Sequence, residues 1–166
     1  MTTPIFNVLF ICTANSARSI MAEAIMNQQS GGLFRAFSAG SHPAGQLSTE
    51  AVDLLQRHQF DTATLHSKNW REFAGADAPK MDFVLTVCDK AAGEVCPVWP
   101  GQPISAHWGV EDPVAVQGDE EHKRKAFSDA FMTLQRRIAL LVNLPIEKLD
   151  KLSLQNELNR IGTEHS

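Results

Sequence analysis

The residues best suited to chemistry lie in the stretch "VLFICTANSARSIMAEAIM", residues 8 to 26. An apolar run ends at Cys12, small and polar residues follow, and Arg18 precedes an apolar pattern with helical spacing. A short loop between a strand and a helix can curl so that its backbone N–H groups, together with the positive end of the helix, point at a bound anion. Arg18 adds a planar fork of donors that suits a tetrahedral oxyanion, and Cys12 would lie beneath that anion as its nucleophile.

The predicted oxyanion cradle consists of this loop and the two residues that follow it. Its members are Thr13, Ala14, Asn15, Ser16, Ala17, Arg18 and Ser19. The positive field of such a loop is expected to lower the pKa of the Cys12 thiol from about 8.5 to between roughly 3.5 and 7.5. A buried, inert cysteine at a strand end is the alternative interpretation. The sequence is not a nucleotide-binding loop, because the lysine of the GxxxxGK[ST] pattern is absent.

Apolar runs that alternate with helical patterns predict the elements that position the loop. Strands are predicted over residues 5–12, 34–40, 81–88 and 102–110, and helices over residues 16–29, 48–58, 119–144 and 152–162. Such alternation is typical of parallel βαβ units, so we expect a single-domain three-layer α/β/α fold with a twisted four-stranded parallel sheet. Residues 1–145 are predicted to form the body of the domain and residues 146–166 a helical tail of the same domain.

Two further cysteines extend the candidate site. Cys88 ends the third predicted strand as Cys12 ends the first, and ligands of parallel sheets bind at the carboxyl ends of the strands. Cys96 follows eight residues later, and the odd number of cysteines argues against standing structural disulfides. A buried core cysteine is the alternative for Cys88. A zinc site with His107 is disfavoured because the cysteine spacing is too wide, so no metal is predicted.

Length, charge and hydropathy restrict the possible partners. The 166 residues suffice for one well-buried core, and a net formal charge of −4 offers no broad basic surface to nucleic acid or acidic membranes. No apolar stretch approaches the roughly 20 residues of a membrane helix, and the N-terminus lacks the pattern of a signal peptide. We therefore expect a cytoplasmic monomer without nucleic-acid or membrane partners.

The stretch "CTANSARS" resembles the Cys-x5-Arg-Ser loop of low-molecular-weight protein tyrosine phosphatases and of the arsenate reductases built on the same fold. "FSAGSHP", "DFVLTVCDKA" and "HWGVEDP" follow in the order and approximate spacing of that family. The resemblance implies the fold of these phosphatases. It also implies that Asp112 is a general acid that protonates the leaving oxygen. Taken alone, Asp112 and Pro113 would indicate no more than a surface turn.

Two features favour the reductase branch of the family. Tyrosine phosphatases typically follow this Asp-Pro pair with an aromatic residue, whereas "VAV" follows it here and the chain contains no tyrosine. The reductases resemble this chain in "HWG" and in the two further cysteines. By this resemblance Cys88 attacks a Cys12–arsenic adduct and releases arsenite as a disulfide forms, after which Cys96 attacks Cys88.

The predicted function is the reduction of arsenate to arsenite, with phosphate or sulfate as competing anions. No tightly bound cofactor is predicted, and the reductant is expected to be an external thiol. Thioredoxin is implied by three cysteines in relay, and glutaredoxin or glutathione is the alternative. A tyrosine phosphatase or small-ester phosphatase is one alternative function, and a non-catalytic oxyanion or arsenite sensor is another.

Four positions depart from the family pattern or carry a weaker resemblance to it. Ala14 stands in place of the usual glycine, and Ala17 stands where many relatives have a second loop cysteine. Glu23 and Ser38 resemble positions that surround a potassium ion in some relatives, although ordinary helix and turn residues are the preferred interpretation.

Overall fold

The computed structural model describes residues 5–88 and 99–163. Within them the strands are β1 (Phe6–Cys12), β2 (Phe34–Gly40), β3 (Phe83–Thr86) and β4 (Ile104–His107). The α-helices are α1 (Arg18–Gln29), α2 (Thr49–Arg57), α3 (Glu120–Val142) and α4 (Lys151–Gly162), with short 3₁₀ helices at Trp70–Phe73, Pro113–Ala115 and Ile146–Lys148. The strands form one four-stranded parallel sheet in the order β2-β1-β3-β4, which confirms the predicted α/β fold.

Both faces of the sheet are covered. Residues 8–11 of β1 are all fully buried, although successive side chains of a strand point to opposite faces. On β2 the side chain of Ser38 donates a hydrogen bond to Glu23 of α1, whereas the neighbouring Phe37 contacts Phe73 of a 3₁₀ helix. The central strand is therefore inaccessible from either side, as its continuous apolar run predicts.

Side-chain amides satisfy the backbone at the two outer strands. Asn27 of α1 accepts a hydrogen bond of 2.8 Å from the Ala36 amide of β2 and donates one of 3.1 Å to the Ala36 carbonyl. Gln155 of α4 donates one of 2.7 Å to the Ser105 carbonyl of β4. These backbone groups face away from the neighbouring strand and would otherwise have only water as a partner.

Three predicted boundaries need correction at the ends of elements beside the site. The third strand is predicted over residues 81–88, but β3 covers only residues 83–86, so Cys88 follows the strand instead of ending it. The pattern predicts that the first helix begins at Ser16, but α1 begins at Arg18 because Ala17 has non-helical angles, φ −134° and ψ −77°. The fourth strand is predicted over residues 102–110, but β4 covers only residues 104–107. The residues that follow β4 leave the regular strand, although the N–H groups of Trp108 and Val110 still donate to the Thr86 and Val87 carbonyls.

Helix α4 packs against the outer strand β4. Its inward side chains Leu154, Leu158 and Ile161 are buried, and the Trp108 indole donates a hydrogen bond of 2.9 Å to the Leu158 carbonyl. The backbone of Gly162 comes so close that a Cβ atom there would lie 2.9 Å from the indole ring. None of the helices in the described part of the chain combines the length and apolar character that a bilayer span requires.

Candidate active site

The anion loop, residues 12–18, is held from outside through its carbonyl groups. The carbonyls of Thr13, Ala14 and Ser16 each accept a backbone hydrogen bond of 2.9 Å, from His42, Ala44 and Ser48 in turn. In a planar trans peptide the carbonyl and the following N–H point in opposite directions. The N–H groups of residues 14, 15 and 17 therefore point into the loop, where they can bind an oxyanion.

Asn15 fixes the curl of the loop. Its backbone is left-handed, with φ 48°, and its side chain is fully buried. The side-chain amide donates a hydrogen bond of 2.8 Å to Ser19, and the side-chain oxygen accepts one of 2.9 Å from the Lys68 backbone N–H. Asparagine tolerates this backbone region better than most residues, and here both ends of its amide are used.

Gly40 allows the end of β2 to approach the loop. A Cβ atom at this position would collide with the Thr13 carbonyl oxygen and lie 2.9 Å from the Cys12 carbonyl oxygen. Because both obstacles are backbone atoms, a side chain cannot be accommodated without moving the loop itself. Gly40 is not among the residues that the sequence motif predicts for the site. Its position at the end of "FSAG", opposite the end of the first strand, is the signal that could have indicated it.

The structure brings Arg18 and Asp112 together. The guanidinium of Arg18, the first residue of α1, donates a hydrogen bond of 2.7 Å to the Val110 carbonyl, and it lies 3.6 Å from the Asp112 carboxylate. Asp112 belongs to the acid segment, residues 109–115, and its other carboxylate oxygen accepts a hydrogen bond of 3.0 Å from the Val114 N–H. With 41% of its side chain exposed, Asp112 lies at the rim of the site, whereas Arg18 is largely buried.

Cys12 and Cys88 meet at the base of the loop. Both are buried, their thiols share a hydrogen bond, and the Cys88 sulfur lies 3.6 Å from the Thr13 hydroxyl. The hydrogen bond with Cys88 and then burial raise the pKa of the Cys12 thiol, against the lowering effects of Arg18 and of the Thr13 N–H. The expectation of a lowered pKa is therefore wrong for this arrangement of the two thiols. Cys96 lies outside the described residues.

A buried ion pair lies behind the loop. The Lys68 ammonium donates a hydrogen bond of 2.9 Å to the Ser38 carbonyl and lies 3.7 Å from the Glu23 carboxylate. Burial raises the pKa of Glu23 and lowers that of Lys68. An ammonium group of the chain itself therefore lies beside Glu23 and Ser38. Within residues 5–88 and 99–163, no group of three or more His, Cys, Asp or Glu residues is placed to hold a metal ion.

Comparison with known sequences identifies the family. The model of the low molecular weight phosphotyrosine protein phosphatases matches residues 7–153. The chain belongs to this family. It is 35% identical over 117 residues to an arsenate reductase of Bacillus subtilis, covering 70% of this chain and 80% of that relative. An arsenate reductase of Halalkalibacterium halodurans is 31% identical over 131 residues, covering 79% of this chain and 91% of the relative.

Solved structures of reductases and of phosphatases resemble this family member about equally. An arsenate reductase from Archaeoglobus fulgidus is 27% identical with a TM-score of 0.60, covering 80% of this chain and 98% of that one. A low molecular weight protein tyrosine phosphatase from T. tengcongensis is also 27% identical with a TM-score of 0.60, covering 87% of this chain and 99% of that one. The fold alone therefore does not separate the two activities.

Proposed function

We propose that this protein is an arsenate reductase. The observation that carries the proposal is the contact between the Cys12 and Cys88 thiols at the base of the anion loop. Hydrolysis of a phosphate ester needs one thiol nucleophile, whereas the two-electron reduction of arsenate consumes two thiols. The curated relatives at 31% and 35% identity described above, both named arsenate reductases, support the same activity.

In the first step, the loop N–H groups and Arg18 bind the arsenate oxyanion. The Cys12 thiolate attacks arsenic, an S–As bond forms, and one oxygen leaves as water after taking a proton from Asp112. The contact of 3.6 Å between Arg18 and Asp112 places this carboxyl group beside the cradle from the start, and the proton that Asp112 donates is balanced by the one that Cys12 loses before attack. The proton on Cys12 must leave before attack, and the Arg18 charge and the Thr13 N–H favour its departure once the hydrogen bond to Cys88 is given up.

In the second step, the Cys88 thiolate attacks the sulfur of Cys12. The S–As bond breaks, its electron pair stays with arsenic, and As(V) becomes As(III), which leaves as arsenite while Cys12 and Cys88 form a disulfide. Because the two thiols are already in contact, this step needs little movement of the chain. Cys96 then attacks Cys88, which transfers the disulfide and restores the Cys12 thiolate.

An external thiol reductant closes the cycle by reducing the disulfide of Cys88 and Cys96. We propose thioredoxin as the donor, since a dithiol reduces a protein disulfide in one encounter through a mixed disulfide. Glutaredoxin with glutathione is the alternative donor. No tightly bound cofactor enters the cycle.

Phosphatase activity is the second candidate, because Cys12, Arg18 and Asp112 alone provide a nucleophile, an anion ligand and an acid. Val114, which is 55% exposed, stands beside the acid where an aromatic residue would stack on a phosphotyrosine ring. We therefore expect any phosphatase activity to favour small, activated esters over phosphotyrosine peptides.

The deciding experiment is NADPH oxidation started by arsenate, with thioredoxin and thioredoxin reductase in one run and glutathione, glutaredoxin and glutathione reductase in the other. Sustained consumption in either run supports the reductase and identifies its donor, and Cys88→Ser is expected to abolish it. No consumption in both runs, together with hydrolysis of an aryl phosphate that Cys88→Ser retains, would make the protein a phosphatase.

A further inference from the structure

A buried arginine lies behind the acid segment. Arg137 is on α3 among the helix's buried residues, and 4% of its surface is exposed. Burial lowers the pKa of its guanidinium, which reflects the cost of removing a charge from water. Because burial of a guanidinium costs free energy, the contacts of Arg137 indicate what its presence in the core achieves.

Arg137 holds the backbone that leads to the acid. Its guanidinium donates a hydrogen bond of 3.0 Å to the Gly109 carbonyl, and Arg18 donates one of 2.7 Å to the next carbonyl, that of Val110. Two guanidinium groups from two different helices thus fix consecutive carbonyls, two and three residues before Asp112. Both residues lie beyond the end of β4 at His107, where the Val110 N–H still bonds to the Val87 carbonyl but the two carbonyls bond to arginine side chains.

Packing fixes the acid segment only in part. Pro113 is buried and its 3₁₀ helix packs against α3, but a pocket of about 770 Å³ opens between Gly109 and Pro113 on one wall and Asp129 and Arg137 on the other. Where side chains do not fill the space, the directional hydrogen bond from Arg137 determines how far the segment lies from the helix. The distance of Asp112 from the anion loop depends on that position.

We propose that Arg137 is a positioning residue for the acid Asp112. This rests on the proposed function in one respect, namely that Asp112 donates a proton during turnover. Arg137 does not touch the substrate and acts through the Gly109 backbone. Because misplacing a catalytic group by about 1 Å can cost on the order of 100-fold in rate, its loss is expected to reduce kcat while leaving anion binding intact.

The test compares Arg137→Met and Arg137→Lys with Arg136→Met, a matched control at the exposed neighbouring position of the same helix. Arg137→Met is expected to lower kcat for arsenate by about 10-fold to 100-fold. The inhibition constant of phosphate should stay within about twofold, since the loop that binds it is untouched. Arg137→Lys keeps one donor and should recover part of the rate, and Arg136→Met should equal the wild type.

A double-mutant cycle with Asp112→Asn separates positioning from a general structural role. If Arg137 acts through Asp112, Arg137→Met costs little in the Asp112→Asn background. Losses that multiply in the double variant, or phosphate binding that weakens in parallel with kcat, would overturn the proposal. Melting temperatures of all variants identify any that fail to fold. If Arg137→Met is among them, Arg137→Lys replaces it in the cycle with Asp112→Asn.

Hydrogen exchange tests the same contact without turnover. The Val110 N–H donates a hydrogen bond of 3.0 Å to the Val87 carbonyl, so peptides over residues 108–116 report how firmly the segment is held. Arg137→Met should speed their exchange, and Arg136→Met should not. Unchanged exchange in Arg137→Met overturns the proposal whatever the substrate, whereas a wild type that does not reduce arsenate overturns the proposed function alone.

Discussion

The anion loop and the acid segment face each other across the site but are held in opposite ways. The anion loop is fixed by main-chain contacts: its carbonyls bond to neighbouring backbone, its Asn15 is fully buried, and Gly40 lies against it. The acid segment is held by the backbone bond from the Val110 N–H to the Val87 carbonyl and by the long side chains of Arg18 and Arg137, and its Val114 is more than half exposed.

This difference separates binding from proton transfer. A loop that binds through backbone N–H groups does not depend on the side chains of Thr13, Ala14 or Ser16, so anion binding is expected to be robust to changes there, with the buried Asn15 as the exception. A segment held by two guanidinium groups depends on single side chains, so proton donation is expected to be sensitive to point changes. Variants of the two regions are therefore expected to differ in whether they change turnover, anion binding or both.

The largest effect is expected for Cys12→Ser. A hydroxyl is a far weaker nucleophile than a thiolate, so both arsenate reduction and aryl phosphate hydrolysis should fall by at least about 10⁴-fold. Phosphate should still bind, because the loop N–H groups remain, and calorimetric titration measures this. Loss of phosphate binding in a folded Cys12→Ser protein would contradict the view that the cradle keeps its shape without the Cys12 thiol.

The next largest effect is expected for Asp112→Asn. Removal of the transferable proton should lower kcat by about 10²-fold to 10⁴-fold, while the phosphate inhibition constant stays within a fewfold. Steady-state kinetics with phosphate as competitor measures both. The matched control is Glu111→Gln at the preceding residue, which should retain turnover. A tenfold or greater weakening of phosphate binding in Asp112→Asn would mean that the acid segment also shapes the cradle.

For Gly40→Ala we expect a smaller loss of rate than for Asp112→Asn, and this loss should be accompanied by weaker phosphate binding. The new methyl group meets the Thr13 and Cys12 carbonyl oxygens, so the loop must shift, and the free energy of unfolding should fall by about 1–3 kcal/mol. Arsenate turnover and phosphate affinity should decline together, about tenfold each for a shift that costs the cradle about 1.4 kcal/mol. Gly75→Ala is the control, because a Cβ atom there would meet nothing within 4 Å. Unfolding curves measure the loss of stability, and phosphate titration measures the affinity. Normal phosphate affinity in Gly40→Ala would contradict the view that the anion loop is rigidly fixed, because the loop would then shift without losing its binding geometry.

The smallest effect is a pKa change at Cys12 in Cys88→Ala. Because the hydrogen bond with Cys88 is the largest cause that raises the pKa of Cys12, its removal should lower that pKa. At a fixed pH below the pKa, more thiolate is then present, so alkylation should be faster by about tenfold for each unit of decrease. Mass spectrometry of the Cys12 peptide over a pH series gives the value. A pKa that rises in Cys88→Ala would refute the assigned cause.

The sequence was sufficient to predict the sheet and the helices, because each central strand is an apolar run and each helix has its apolar spacing. Boundaries beside the site were less predictable. Ala17 is a good helix former, but the loop gives its backbone non-helical angles, so α1 begins at Arg18, two residues after the predicted start. After His107 the apolar pattern continues, yet the carbonyls of Gly109 and Val110 bond to arginine side chains rather than to a strand.

Within the site, the motif led to Cys12, Arg18 and Asp112, and the strand ends led to Cys88. The pKa of Cys12 was not predictable, because the sequence does not show that the Cys88 thiol meets it. Arg137 carried an overlooked signal, since it falls three residues after Leu134 on the buried face of α3. Lys68 carried none, because its buried ion pair depends on how a loop folds back onto α1.

The side-chain amides at the outer strands also protect the protein from self-association. An open strand edge is a template for pairing with another chain, and Asn27 and Gln155 occupy backbone groups at the edges of β2 and β4. Gln155 lies on α4, far along the chain from β4. A chain that stopped after Pro145 would keep every candidate catalytic residue but leave β4 exposed to other copies, and we expect such a chain to aggregate.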